Sequence, residues 1–280
     1  MATTSTVNSK VTVMPLHSVS MVIFHLLTLL YILCHAVSGE VYYIKPSANS
    51  PCISEHCLTL SHFADNSSRF INADTTVILL SGSHNLESEL LISNVSKIRM
   101  YSLSSNMTII NCDKHARVSF VAVDHVYISG LKYNKCRGHY VRSVHIFSLK
   151  NCTFHNNTEG AIEIMNSTAH ILQTFFILNS LSSLGTQRYK TYGAAITARQ
   201  SSLMIVDSTF KQNGAGTTKG GAIYCKVYSN ITVIDSTFVN NYIDTSNSGS
   251  IAYFQRGCSE AGGVFAVDNL CFIFKTVILQ

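Results

Sequence analysis

The chain has 280 residues, is 46% hydrophobic and only 12% Asp, Glu, Lys and Arg, and carries a formal net charge of +5 without any basic block. That apolar content is enough for a sizeable core and excludes a wholly disordered chain. The thin, scattered charge excludes the basic stripe of a nucleic-acid binder, so no nucleic acid is expected as a partner.

At the N-terminus Lys10 precedes an apolar run, VSMVIFHLLTLLYILC (19–34), and then HAVSGE, in which Ala36 and Ser38 suit signal-peptidase cleavage before Gly39. Residues 1–38 therefore read as a signal peptide. His25 interrupts the run and the polar stretch before it is long, so an uncleaved signal anchor is the alternative. On either reading the rest faces the lumen or the outside, the expected location is secreted or at the extracellular surface, and a membrane is touched only through that first segment.

With Cys34 removed, Cys52, Cys57, Cys112, Cys136, Cys152, Cys225, Cys258 and Cys271 remain. An even set in an exported chain favours disulfides, and proximity alone names one pairing, Cys52 with Cys57. A C-x4-C with His56 beside it lacks the second ligand pair of a zinc site, so no metal is expected. Sequons begin at Asn66, Asn94, Asn106, Asn151, Asn156, Asn166 and Asn230, and some of them are expected to carry glycan.

Residues 39–74 read as an N-terminal cap. Within it CLTLSHFADNSSRFI places Leu58, Leu60, Phe63, Ala64 and Phe70 where a short helix would gather them. From about Thr75 the pattern changes to period two, as in TTVILLSGSHNLESELLISNVSKIRMYS and MTIINCDKHARVSFVAVDHVYISG, which reads as short strands.

Further on the strands become a repeat. Gly160 opens GAIEIMNSTAHILQTFFILN, Gly193 opens GAAITARQSSLMIVDSTFKQN, and the pair Gly220 and Gly221 opens GGAIYCKVYSNITVIDSTFVNN. Each ends in Phe-x-x-Asn: Phe176 with Asn179, Phe210 with Asn213, Phe238 with Asn241. CTFHNN supplies an earlier ending at Phe154 and Asn157. Uneven spacing is taken up by polar insertions at 180–192, 214–219 and 242–250, as in surface loops. A repeat of short β runs with tolerated insertions is a solenoid signal, and the fold class expected over 75–280 is all-β, a right-handed parallel β-helix with a short N-terminal capping helix. In such a stack Gly and Ala stand where a side chain would collide, alternate Ile, Val and Phe fill the interior, and the asparagine is expected in a left-handed turn, laddering with its neighbours. An open end exposes unpaired strand backbone, which the helical cap would cover.

The GGA[IV] and FxxN motifs resemble those of chlamydial polymorphic outer-membrane proteins and of right-handed β-helix domain proteins of animals such as sponges. VYYIKPSANSPCISEHCLTLSHFA, with its C-x4-C-x-TL pattern, is similar to the N-terminal cap of the second group. The resemblance covers nearly all of the mature chain through short motifs. It implies an extracellular β-helix, in one group associated with adhesion, and transfers no catalytic site. The chain departs from the bacterial group in having no translocator barrel, and its end at Gln280 falls in mid-coil, as in a truncated sequence.

Catalysis on a β-helix would need close carboxylates, or carboxylates holding Ca²⁺ beside a basic residue. Asp207 and Asp235 are the pair at matching repeat positions, and turn-capping is the favoured reading of both. RGHY places Arg137 and His139 in what reads as a surface loop; no HExxH, Gly-x-Ser-x-Gly or phosphate loop is present. No catalytic residue and no cofactor are named. Tyr189, Tyr192 and Tyr242 in the insertions could stack on sugars. The expected role is a disulfide-bearing scaffold glycoprotein contacting a glycan or cell-surface partner, against two alternatives, a polysaccharide lyase or hydrolase and a structural spacer.

Overall fold

A computed structural model of the chain describes residues 39–51, 57–103, 108–112, 115–181, 193–215, 221–226, 228–243, 252–255, 272–274 and 277–279. The leader reading of 1–38, Cys52, Asn106, Tyr189, Tyr192 and Gly220 lie outside them. The strands form three sheets in which paired strands run parallel and come from successive turns of the chain, the topology of a parallel β-helix.

The coils are numbered here by their strand in sheet 1: Asp74–Leu79, Lys97–Ser102, His125–Ser129, Ile146–Lys150, Thr168–Leu172, Ser202–Val206, Asn230–Ile234 and Phe272–Phe274 for coils 1 to 8. Each coil then passes to sheet 2, as Thr153–His155 does in coil 4, and to sheet 3, as Thr158–Met165 does there. Glu40–Lys45 adds a strand before coil 1 and pairs with Asp74–Leu79, so part of the cap belongs to sheet 1. The helix Leu60–Asp65, with Thr59 as its N-cap, buries Leu60, Phe63 and Ala64. A second short helix, Ser67–Phe70, brings Phe70 onto Phe63 with ring centroids 5.8 Å apart. Ser61 and Ser88 tie this cover to coil 1 through hydrogen bonds to the Asn85 carbonyl and to Asp65.

Period-two alternation sends every second side chain inward. In sheet 2 that column is Tyr133, Phe154, Phe176, Phe210 and Phe238, all buried, in register from coil to coil. Successive rings lie 5.0, 5.2, 4.8 and 4.6 Å apart and nearly coplanar in direction, the last pair inclined by 3°. Each ring contributes roughly 1.5–3 kcal/mol from burial alone. Aliphatic columns such as Met100, Ile128, Leu149, Ile171, Ile205 and Val233 fill the sheet 1 side.

The corners depart from expectation in one respect. The left-handed residue is not the motif asparagine but the one before it: Asn156, Leu178, Gln212 and Asn240 have φ between 51° and 56° at the sheet 2 to sheet 3 corner. That residue turns the chain, so the next can point its amide along the axis. Asn157, Asn179, Asn213 and Asn241 do so, the first three donating from Nδ2 to the Oδ1 of the next at 2.8–2.9 Å. The same oxygens accept the backbone N–H of the coil before, and the Nδ2 groups of Asn179, Asn213 and Asn241 also reach the carbonyls of Phe154, Phe176 and Phe210. Buried backbone groups are thereby paired at a place where no strand can pair them.

Two further ladders were not legible as such. Thr174, Ser208 and Ser236 stack at the corner between sheets 1 and 2, and Ser167, Ser201 and Ser229 at the corner leading to the next coil, each serine hydroxyl accepting an N–H from the preceding coil. Asp207 and Asp235, both with φ of 48°, are the exposed left-handed residues preceding Ser208 and Ser236. Gly160 has φ of 85°, and a Cβ on Gly193 would stand 2.2 Å from the Ile196 carbonyl oxygen and one on Gly221 2.9 Å from that of Tyr242.

Cys57 is disulfide-bonded. A bond between Cys112 and Cys136, 24 residues apart, was not named from the sequence. It occupies the corner where the asparagine ladder ends, and the Cys136 N–H donates to Asn157 Oδ1 at 2.8 Å. Cys152 and Cys225 are buried free thiols. Cys152 takes the place of a ladder serine, its thiol donating to the Lys150 carbonyl at 3.4 Å, and burial pushes its pKa up to about 11.

Candidate functional site

The outward side of sheet 1 changes character along the stack. Register places Thr76, Arg99, Tyr127, Ser148, His170 and Met204 in one outward column, Lys97 and His125 in the column on one side, and Tyr101, Ser129, Lys150 and Leu172 on the other. Coils 2 to 5 thus bring aromatic, cationic and hydroxyl side chains together, whereas Leu172, Val206 and Ile234 make the last column aliphatic from coil 5 to coil 7.

Between these columns lies a cleft of about 340 Å³ lined by Arg99, Tyr101, Tyr127, Ser148, Lys150 and His170, among others. Tyr127 is 38% exposed, its face approached by Lys97 Nζ at 5.9 Å and its ring stacked on His125 at 6.2 Å. Arg99 is held down by Asp74 Oδ1 at 2.6 Å and the Thr76 hydroxyl at 3.3 Å. Lys150 is exposed. An exposed tyrosine face accepts the C–H face of a sugar ring, and Lys, Ser and His around it can bond its hydroxyls or a carboxylate. The carboxylate adjoining this cleft, Asp74, is already paired with Arg99.

A second, polar groove of about 520 Å³ follows the corner between sheet 3 and the next coil, lined by Ser143, His145, Asn166, Gln200, Tyr228 and Asn230, among others. Tyr228 stands 85% exposed there, as the left-handed residue of its corner.

The reading of RGHY as a surface loop is corrected. Arg137–Arg142 is a strand of sheet 3. Arg137 does reach solvent and pairs with Glu159 at 2.8 Å, but alternation turns His139 inward, where it is buried. Its Nδ1 accepts the Val118 N–H at 3.1 Å, its ring packs edge-on against Tyr133 at 4.5 Å, and burial holds its pKa down to about 3. Tyr133 Oη and His139 Nε2 have no hydrogen-bond partner, and burial pushes the Tyr133 pKa up.

The repeat residues Phe176, Phe210 and Phe238 and Asn179, Asn213 and Asn241 are buried in the stack and do not line the sheet 1 cleft. Tyr242 is 56% exposed, with ring atoms 2.4–2.8 Å from where a Gly214 Cβ would stand, so Gly214 gives that ring its seat. Of the sequons, Asn94, Asn151, Asn166 and Asn230 are exposed and Asn66 and Asn156 half-buried. Sequence reasoning missed Arg99, Tyr101, Tyr127 and Lys150 as a group. They come from coils 2, 3 and 4, and the offsets that unite them, 28 residues from Tyr101 to Ser129 and 21 from Ser129 to Lys150, become visible once the register of those coils is known.

No family model and no curated protein matches this chain. Among solved structures it is similar to that of pectate lyase Pel9A, at 10% identity and a TM-score of 0.33, over 87% of this chain and 77% of that one.

Proposed function

We propose that the protein is an extracellular β-helix scaffold that contacts glycans through the outward face of sheet 1 in coils 2 to 5. The observation that carries this reading is the cleft in which Tyr101, Tyr127 and His170 alternate with Arg99, Lys150 and Ser148 on a rigid parallel sheet. Such a sheet fixes aromatic faces at the coil repeat, so a sugar chain along the axis meets several of them with little ordering cost. The GGA[IV] and FxxN resemblance, one group of which is associated with adhesion, supports the same reading, and the N-terminal apolar run and the sequons support export.

The competing class is a polysaccharide lyase or hydrolase. It calls for carboxylates converging on the cleft, and the carboxylate adjoining it is engaged with Arg99. A glycan-array screen of the full chain, followed by a released-sugar assay on each hit, decides the matter. Binding without cleavage supports the scaffold, cleavage replaces it with the enzyme, and no binding leaves the structural spacer.

A further inference from the structure

Coil 4 differs from the other coils in the residues that turn it. Its three left-handed corner residues are Asn151, Asn156 and Asn166, with φ of 52°, 54° and 48°. All three are sequon asparagines, in Asn-Cys-Thr, Asn-Asn-Thr and Asn-Ser-Thr. Left-handed geometry favours asparagine, but Lys135, Ser143, Gln173, Leu178, Gln200 and Gln212 fill the same positions in coils 3, 5 and 6, so the turn does not require it.

We infer that coil 4 carries N-linked oligosaccharide at all three corners, Asn151, Asn156 and Asn166, forming a collar around the stack. This inference rests on the export reading above. Three observations carry it. A left-handed corner residue projects its side chain outward, and Asn151 and Asn166 are exposed and Asn156 half-buried. Their backbone N–H groups bond to Leu172, Ile177 and Arg199, while none of their side-chain amides enters a hydrogen bond, so a sugar on Nδ2 displaces nothing. The following residue in each case, Cys152, Asn157 or Ser167, is buried as a corner rung. Each sequon is therefore closed once the coil forms, and modification precedes folding, yet the product fits the finished corner.

Asn66 supplies the contrast: its Nδ2 donates to the His62 carbonyl at 3.1 Å within the helical cap. Two glycans of the collar would flank the sheet 1 cleft, since Asn151 follows Lys150 and Asn166 precedes the strand Thr168–Leu172. The third, on Asn156, would stand beside Leu178, the 44% exposed residue that turns the same corner in coil 5. The collar bars a second molecule from packing against coil 4 at any corner.

The test is site-by-site occupancy by mass spectrometry after enzymatic deglycosylation in heavy-oxygen water. The full chain is expressed in a eukaryotic secretory host, once as it stands and once behind an added cleavable leader. With the added leader, near-complete occupancy of Asn151, Asn156 and Asn166 is expected, together with the loss of one glycan's mass in each of Thr153→Ala, Thr158→Ala and Thr168→Ala, which leave the asparagines in place. Any of the three corners empty while Asn94 or Asn230 is occupied overturns the collar. Occupied sequons with the added leader but none without it overturn the export reading instead, and with it the collar in the native protein.

Discussion

Coils 1 to 3 and coils 4 to 7 spend their polar side chains in opposite places. In the first group most corner positions are apolar or sulfur: Val95, Val123 and Val144 at one corner, Leu86 and the Cys112–Cys136 bond at another, and Leu131 at the third, where coil 2 has the buried Thr108 instead. The polar and aromatic side chains there stand outward on sheet 1, as Lys97, Arg99, Tyr101 and Tyr127 do. In the second group serine, threonine and asparagine turn into the corners and pair buried backbone, while the outward column of sheet 1 becomes Leu172, Val206 and Ile234. The difference teaches that a β-helix separates holding itself together from presenting a surface. The coils that read as the clearest repeat are those whose polar residues are committed inside; of the candidate ligand face, Arg99, Tyr101 and Tyr127 stand on coils 2 and 3, where the repeat is faint, and Ser148, Lys150 and His170 on coils 4 and 5 where it begins.

The sharpest way to break this contrast is in the aromatic column. Phe210→Ala, between rings at 4.8 and 4.6 Å, is expected to cost about 4 kcal/mol in urea unfolding followed by circular dichroism. Asn213→Ala should cost about 3 kcal/mol, because it strands the Asn179 N–H and the Phe176 carbonyl in a buried corner. In coils 1 to 3 the counterpart is covalent. Replacing Cys112 and Cys136 together by serine should cost about 3 kcal/mol through the lost loop constraint, and added reductant should then destabilise that variant less than it destabilises the wild-type chain or Asn213→Ala, both of which keep the bond.

The two regions also differ in their response to acid. His139 in coil 3 has its pKa depressed to about 3 in the folded protein, against 6.5 ordinarily. The unfolded chain binds this proton as pH falls below about 6.5 and the folded one does not until about 3. Its contribution is thus intact above pH 6.5 and lost progressively between 6.5 and 3. Unfolding free energy measured across that window should fall by about 2–4 kcal/mol, and His139→Gln, which keeps an acceptor for the Val118 N–H, should flatten the decline. The smallest effect expected is Ser208→Ala, about 1 kcal/mol, from the unpaired Thr174 N–H.

Much of the fold could be read in advance because its causes are local and repeat. Phe176, Phe210 and Phe238 each announce an inward slot, and the glycines announce crowding that a Cβ would violate. The hydroxyl ladders escaped because Ser167, Ser208 and Ser236 look like any turn serine until a neighbour stands 28 or 34 residues away with an N–H to be met. His139 escaped because RGHY mixes two directions on one strand, Arg137 outward and His139 inward. The sheet 1 cleft escaped for a stronger reason: no motif links Arg99, Tyr127, Ser148 and His170, and they become neighbours only through register.

The most direct measurement is the affinity of a glycan found by array for the wild-type chain, Tyr127→Ala and Lys150→Ala, with Phe175→Ala as control, a 46% exposed aromatic on sheet 2. About a tenfold loss is expected in Tyr127→Ala, a smaller loss in Lys150→Ala and no change in Phe175→Ala, since stacking on one ring is worth up to ~1.5 kcal/mol. Unchanged binding in both sheet 1 variants, or a loss confined to Phe175→Ala, would contradict glycan contact through sheet 1.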